Sequence, residues 1–309
     1  MKKLIVMFMV STLLLGTLGG CGKKDDGKID VGVSIASFDD TFLMYMKDGM
    51  EAYANEHSDT ITIEFVDAAE DMAKQMDQVE NFVVQQKDAI IVIPVDTSAT
   101  GPITDTAKEA ETPLVYVNRN PGNLPEGAYY VGSQDIVAGR LQMEWLAETL
   151  NGKANVAVLM GKLDNEGALA RTKGNEEVAA DFPDMNIVDK QTGKWQRNEG
   201  MMVTEDWLNK FGEELNAVLC NNDDMALGAA QALKDAGRDD VLVLGVDATP
   251  DGISGIEAGM ISATVFQDAA GQGGGAVKTA FSAASGETVT KETWIPFQLV
   301  TPENLADFK

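Results

Sequence analysis

The chain has 309 residues, 24 Lys+Arg against 49 Asp+Glu for a formal net charge of −25, and 44% hydrophobic residues. So acidic a surface repels nucleic acid and anionic lipid headgroups. The apolar share is ample for sizeable cores, and the length exceeds what one core usually fills, so two domains are expected.

Behind Met1-Lys2-Lys3, residues 4–18 form an apolar run that ends in Leu18-Gly19-Gly20-Cys21. A basic start, an apolar core and small residues before a cut make an export signal. The run is too short, and too broken by glycine at its end, for a membrane span. Its end resembles the bacterial lipobox, in which the cysteine receives lipid and becomes the new N-terminus. That resemblance implies a leader over 1–20, lipidation at Cys21, and a protein tethered outside the cytoplasmic membrane, in a periplasm or on a Gram-positive surface. An ordinary signal with an incidental cysteine is the alternative. Gly22-Lys23-Lys24-Asp25-Asp26-Gly27 is polar and bounded by glycine, as a leash over 21–27 requires. Losing the two charges of Lys2 and Lys3 with the leader takes the net charge from −25 to −27. An acylated Cys21 leaves Cys220 without a partner, and its place in Ala217-Val218-Leu219-Cys220 reads as a buried structural thiol.

Residues 29–36 are strand-like and are followed by Phe42, Met46, Gly49, Met50 and Tyr53 at helical spacing. Ile61, Ile63 and Phe65 then alternate with polar residues. Met72, Met76, Val79, Phe82 and Val83 form a helical stripe, and residues 89–95 are almost continuously apolar. A further strand is expected at 114–117. The rhythm restarts after Tyr130-Val131-Gly132 with a helix through Trp145, and strands are expected near 155–160, 187–189, 217–220 and 241–246. Continuous apolar strands between helices predict parallel sheets covered on both faces, and two successive sets of such units predict two similar lobes. Gly271-Gln272-Gly273-Gly274-Gly275 lacks the Lys and Ser/Thr of a phosphate loop, so close helix packing is the better reading.

Open parallel sheets bind ligands beyond the carboxyl ends of their strands. The polar residues expected there are Phe38-Asp39-Asp40, Asp96-Thr97, Asn118-Arg119-Asn120, Leu163-Asp164-Asn165-Glu166, Asn221-Asn222-Asp223-Asp224 and Asp247. Turn and helix-cap chemistry explains the same residue types, and for Asp96, Thr97 and Asp223 it is the preferred explanation. Asp247 has the competing role of capping a helix near Pro250, and Arg171 that of pairing with Glu176 or Glu177. Phe42 also lies on the core stripe of its helix, and Trp195 suits a surface anchor.

In these loops the chain resembles the periplasmic sugar-binding proteins of ABC importers, in the branch of the ribose and glucose/galactose binders, over residues 28–309. The segments that carry the likeness are Phe38-Asp39-Asp40-Thr41-Phe42, Pro94-Val95-Asp96, Val117-Asn118-Arg119-Asn120, Asn221-Asn222-Asp223-Asp224-Met225-Ala226-Leu227-Gly228 and Gly245-Val246-Asp247. Tyr116-Val117-Asn118-Arg119-Asn120-Pro121 and Trp294-Ile295-Pro296-Phe297 look most like the inositol and rhizopine binders of that branch. The resemblance implies an α/β fold of two Rossmann-like parallel-sheet lobes joined by a hinge of three crossings, the type I arrangement. It implies an N-terminal lobe over 28–132 plus 269–293 and a C-terminal lobe over 133–267 plus 296–309. Asp40, Asn118, Arg119, Arg171, Asn222, Asp247 and Gln267 are implied to hydrogen-bond the ligand, with Asp39 the alternative to Asp40. Phe42 and Trp195 sandwich its ring, and Phe38 offers a third wall. Gly167 stands where the glucose/galactose binder has a contacting acid, so Asn165 or Glu166 supplies that contact. The calcium loop of that binder is missing, because Glu148-Thr149-Leu150-Asn151-Gly152-Lys153 is too brief for a cage of spaced oxygens. No metal and no cofactor are therefore expected.

The function this implies is capture of a monosaccharide or cyclitol by hinge closure and delivery to the transmembrane subunits of an ABC permease, by a monomer that binds no nucleic acid. Presentation of the ligand to a chemoreceptor or kinase is the alternative. Enzymatic activity is not expected. The one histidine, His57, lies in Glu56-His57-Ser58-Asp59 away from most strand-end loops, there is no nucleophile elbow, and the carboxylates of Asp39 and Asp40, being on adjacent residues, point apart. A sugar-responsive repressor of the same fold needs a basic N-terminal helix pair that this chain lacks.

Overall fold

The continuous apolar runs become central strands. A computed structural model describes residues 27–309, so the expected leader and the lipidation at Cys21 lie outside the described residues. The first half is β1 (Ile29–Ile35), α1 (Thr41–Glu56), β2 (Ile61–Asp67), α2 (Met72–Val84), β3 (Ala89–Val92), α3 (Gly101–Glu109), β4 (Leu114–Val117) and β5 (Ala128–Gly132). The second is α4 (Asp135–Thr149), β6 (Lys153–Met160), α5 (Glu166–Ala179), β7 (Asp184–Thr192), α6 (Arg197–Phe211), β8 (Ala217–Cys220), α7 (Asp223–Asp235), β9 (Leu242–Leu244), α8 (Pro250–Glu257) and β10 (Thr264–Phe266). Then come α9 (Ala269–Ala284), β11 (Glu292–Trp294) and β12 (Gln298–Val300).

One sheet runs β11-β5-β4-β3-β1-β2 and a second β7-β6-β8-β9, every neighbouring pair parallel. Isolated parallel bridges, Leu244 to Ala263 and Asp247 to Phe266, carry the second sheet on to β10, which pairs antiparallel with β12. The two halves thus repeat one strand order, the fold of type I periplasmic binding proteins. The chain leaves the first sheet after β5, returns to pack α9 against α1, and crosses again between β11 and β12.

Each sheet is covered on both faces. Val31, Val33, Ile35 and Ile91 pack with Met46, Met50 and Val277 on one face of the first sheet, while Ile90, Val92 and Tyr116 pack with Val79, Phe82 and Ile103 on the other. In the second sheet Leu159, Val218 and Cys220 pack with Trp207 and Met225, and Val156, Val158 and Leu219 with Met143 and Leu146. Cys220 is a buried free thiol whose pKa burial and Asp223 push well up, in keeping with a structural role. The expected strand at 89–95 stops at Val92, ahead of Pro94, which has no N–H to give a ladder. The strand expected at 187–189 is longer, β7, because it is a half-exposed edge whose apolar signal is weak.

Three helix pairs approach closely, and each does so on glycines from both partners. A Cβ on Gly139 of α4 would lie 1.8 Å from the Arg171 carbonyl oxygen, and one on Gly174 of α5 would lie 2.3 Å from that of Ile136. Gly228 of α7 faces the Arg197 carbonyl of α6, at 1.9 Å for the same test atom, and Gly200 faces the Met225 carbonyl. Gly273 of α9, from the glycine-rich run, meets the Met46 carbonyl of α1, and Gly49 meets Ala270. Backbone cannot yield as a side-chain tip can, so Gly228→Ala should lower unfolding stability by about 2 kcal/mol or more. Gly101→Ala, with open space around it, should be neutral or slightly stabilising. Urea midpoints of the two variants check this, and equal midpoints would show that the helices separate without cost.

Candidate functional site

A cavity lies between the carboxyl ends of the two sheets, lined by Asp40, Phe42, Leu43, Asn118, Arg119 and Asp135, and by Asn165, Gly167, Arg171, Trp195, Asn222, Asp247 and Gln267. Most of these side chains follow a strand directly: Asp40 after β1, Asn118 and Arg119 after β4, Asn165 after β6 and Trp195 after β7. Asn222 follows β8, Asp247 follows β9 and Gln267 follows β10. At three positions cap chemistry and cavity lining fall on the same residue. Asp40, Asn165 and Asn222 are the N-caps of α1, α5 and α7, accepting from Leu43, Gly167 and Met225 backbone N–H, so three helix N-termini converge on the cavity. Asp96 only caps the short turn over 97–99. Asp247 caps nothing, since Thr249 caps α8.

Arg171 is the centre of the C-terminal wall. Its Nε donates to Asp135 Oδ1 at 2.7 Å, its Nη2 to Gln267 Oε1 at 2.8 Å and its Nη1 to the Asn221 carbonyl, and Nη1 stands 3.8 Å from Asp247 Oδ1. Glu176 and Glu177, the competing partners on its own helix, pair instead with Lys190 and with Arg140 and Lys173. Burial works against its charge, yet Asp135 and Asp247 raise the guanidinium pKa all the same. Across the cavity Arg119 donates to the Pro94 carbonyl at 2.9 Å and stands 3.6 Å from Asp40 Oδ2. Burial raises the pKa of Asp40 against the pull of Arg119, and burial raises that of Asp247 well above the ordinary carboxylate range against the pull of Arg171. Asn118, Trp195 and Asp247 hold left-handed backbone, with φ of 66°, 68° and 124°. Asn222 Nδ2 donates to the Trp195 carbonyl at 3.1 Å, and Gly161 leaves room for the indole, which a Cβ there would meet at 2.1 Å. Two buried donors, Trp195 Nε1 and Gln267 Nε2, have no partner among the described residues.

Three residues placed here by the sequence do not line the cavity. Phe38 packs against the core of the first lobe. Asp39 is exposed and borders an outer depression with Lys162, Lys194 and Arg197, because its neighbour Asp40 takes the inward direction. Glu166 turns to the other lobe, where its Oε1 accepts from Asn120 N–H at 3.3 Å, and its Oε2 is buried without a partner. The converse omission is Asp135. It is an acid at the first helical position after β5, a strand-end signal like the others, and it is not among the residues expected from the sequence.

The cleft is shut in this structure. Besides Glu166 and Asn120, Thr97 N–H and Oγ1 each reach the Asp164 carbonyl at 3.3 Å, and Lys162 pairs with Glu70 at 2.6 Å. Among the described residues no group of three or more His, Cys, Asp or Glu is placed to hold a metal ion, and no helix is long and apolar enough to cross a membrane.

Residues 31–288 match the periplasmic binding protein domain. The chain belongs to that family. This solute-binding protein is 44% identical over 286 residues to a putative rhizopine-binding protein of Rhizobium meliloti, covering 90% of this chain and 92% of that one. It is 33% identical over 292 residues to a xylitol-binding protein of Mycolicibacterium smegmatis, covering 93% and 82% of the two. It superposes with a TM-score of 0.87 and 42% identity on a crystal structure of an ABC transporter solute-binding protein from Bacillus halodurans with bound myo-inositol, covering 93% of this chain and 99% of that chain. The family's place is outside the cytoplasmic membrane, and its partners are the membrane components of ABC transporters.

Glu166 makes the closed form sensitive to pH. Burial, and then Asp135, push its pKa from 4.5 up to about 8, against the Asn120 N–H bond and the two arginines. A carboxyl whose folded pKa is raised stabilises fully below its unfolded pKa, and that contribution is lost as pH rises through the folded value. Between pH 5 and about 8 wild-type stability should therefore fall more steeply than that of Glu166→Gln, which can still accept from Asn120. Urea unfolding across this range checks it; parallel stability curves would place Glu166 in water.

Proposed function

We propose that this chain is a lipid-anchored, monomeric solute-binding protein that captures a neutral hydroxyl-rich ring, a cyclitol of the inositol kind or a monosaccharide, by hinge closure and delivers it to an ABC permease without chemical change. The observation that carries this reading is the set of unspent polar groups around the cavity. Trp195 Nε1 and Gln267 Nε2 are buried donors without partners, and Arg171 has used three of its five N–H groups. Adjacent ring hydroxyls both donate and accept, so they suit carboxylates, amides and a guanidinium fork standing side by side. Phe42 and Trp195 offer aromatic faces to the apolar C–H patches of such a ring. The charge count supports a neutral ligand. Asp40, Asp135 and Asp247 face Arg119 and Arg171 around the cavity, with Glu166 just outside it, so an added phosphate or carboxylate would find the acids in the majority.

Asp40, Phe42, Asn118 and Arg119 belong to the first lobe and Asp135, Asn165, Arg171, Trp195, Asn222, Asp247 and Gln267 to the second. Each open lobe offers only its own share of these contacts, and a ligand populates the closed state because only there are both sets met. The relatives named for rhizopine and xylitol and the structure holding myo-inositol support a polyol as the ligand class.

Titration calorimetry with myo-inositol tests the reading. Asp247→Ala leaves Arg171 short of a counter-charge and should weaken binding by about thirtyfold or more, the low end of roughly 2–5 kcal/mol for truncating one partner of a buried charge pair. An unchanged affinity would remove Asp247 from the site, and the absence of wild-type heat with any inositol, pentose or hexose would remove the ligand class. For the anchor, Cys21→Ser should abolish incorporation of labelled fatty acid and release the protein from membranes; retained label would contradict lipidation at this residue.

A further inference from the structure

Asp223 is fully buried yet does not line the cavity. It is the first residue of α7, but Asn222 caps that helix. Its Oδ2 accepts from Thr249 backbone N–H at 2.8 Å and from the Thr249 hydroxyl at 3.3 Å, and its Oδ1 accepts from the Thr264 hydroxyl. Gly245 and Gly252 lie against the same carboxylate, and a Cβ on either would come within 2.1 or 2.0 Å of its oxygens. A carboxylate is a costly occupant here, since burial raises its pKa to about 7 against the lowering effect of the two threonines. An apolar residue would avoid that electrostatic cost, but it would release both threonines.

Those threonines flank the residues that matter. Thr249 directly follows Asp247 and Ala248, both in left-handed backbone at φ of 124° and 53°. Thr264 opens β10, at whose end stands Gln267. The two segments are tied to each other through Asp247 N–H on the Val265 carbonyl at 2.8 Å and Gln267 N–H on the Asp247 carbonyl at 3.1 Å. We propose that Asp223 is the positioning residue of the C-terminal half of the cavity: by clamping Thr249 and Thr264 to α7 it holds Asp247 and Gln267 at their angle into the cavity without itself touching the solute. The clamp is a property of the lobe; only its consequence for affinity rests on the ligand reading above.

The experiment compares wild type, Asp223→Ala and Asp223→Asn by amide hydrogen exchange of the ligand-free protein and by calorimetry with myo-inositol. Asp223→Ala should speed exchange in the peptides covering 245–249 and 264–268 by about tenfold, leave 154–160 as in wild type, and weaken binding by about tenfold, as expected for orphaned buried groups. Asp223→Asn can turn its oxygen to Thr249 N–H and its amide to the Thr264 hydroxyl, so it should restore both readouts to within about threefold. Unchanged exchange in the two peptides overturns the proposal. Exchange speeded evenly through the whole lobe also overturns it, because that is the mark of general stabilisation. A wild type that ignores myo-inositol sinks the ligand reading, while the exchange data still decide the clamp. If Asp223→Ala does not fold, Thr264→Val removes one anchor and should loosen 264–268 alone; no change there counts against the clamp.

Discussion

A guanidinium cannot be taken out of water unless its charge is balanced and its N–H groups find acceptors, and the structure depends on how that demand is met at Arg171. Its partners come from four segments that are far apart in sequence: Asp135 at the start of α4, Asn221 after β8, Asp247 after β9 and Gln267 after β10. Removing Asp135 or Asp247 leaves the buried charge short of a counter-ion, with losses of about 3–5 kcal/mol typical for such a break. The network therefore fixes the relative heights of three strand ends and a helix start. It also uses them incompletely, and the proposed binding surface rests on what is left over. Gln267 gives its oxygen to Arg171 and is left with an amide donor that no described residue takes.

The contacts that shut the cleft are of another kind. Lys162 and Glu70 are each about a quarter exposed, and such ion pairs contribute about 0–1 kcal/mol. The Thr97 contacts with the Asp164 carbonyl are long, at 3.3 Å. Rim contacts of this strength can align two lobes but do little to hold them, so the free energy that favours the closed form has to come from the cavity. Glu166 adds to this balance. Its raised pKa means that the ionised form is disfavoured when the lobes meet, so closure is easier for the protonated carboxyl.

Much of this was legible in the chain because parallel strands buried on both faces leave a continuous apolar signature, and because a strand end must hand over to a helix through polar residues. Asp40, Asn118, Arg119, Asn165, Asn222 and Asp247 all stand among the strand-end residues that rule picks out, the family resemblance singled them out from the rest, and the structure brings them to one cavity. What failed has equally physical causes. Neighbouring residues on a turn face opposite ways, and the pattern does not say which of Asp39 and Asp40 turns inward. Asp135 obeys the same rule, as the first residue of α4, yet was not among the expected residues. The full role of Asp223 depends on Thr249 and Thr264, 26 and 41 residues further on, and no local pattern reports a partner at that distance.

The backbone around the cavity shows how rigid each half of the site is. Asn118, Trp195 and Asp247 hold left-handed conformations, and such residues cost roughly 1–3 kcal/mol each unless their surroundings impose them. The surroundings do so within one lobe in every case. The Asn118 carbonyl accepts from the Tyr130 hydroxyl at 2.7 Å, the Trp195 carbonyl from Asn222, and the Asp247 turn is laced to β10 and to Asp223 through Thr249. None of these bonds crosses the cleft, so none has to wait for closure. Strain of this sort is met once, when the lobe folds, and the half-sites are then presented already shaped. The helix pairs packed on glycine backbone leave the lobes little room to flex in compensation. The closure proposed above would then turn on the three crossings, with the ordering entropy that a floppy site would lose on binding spent in advance.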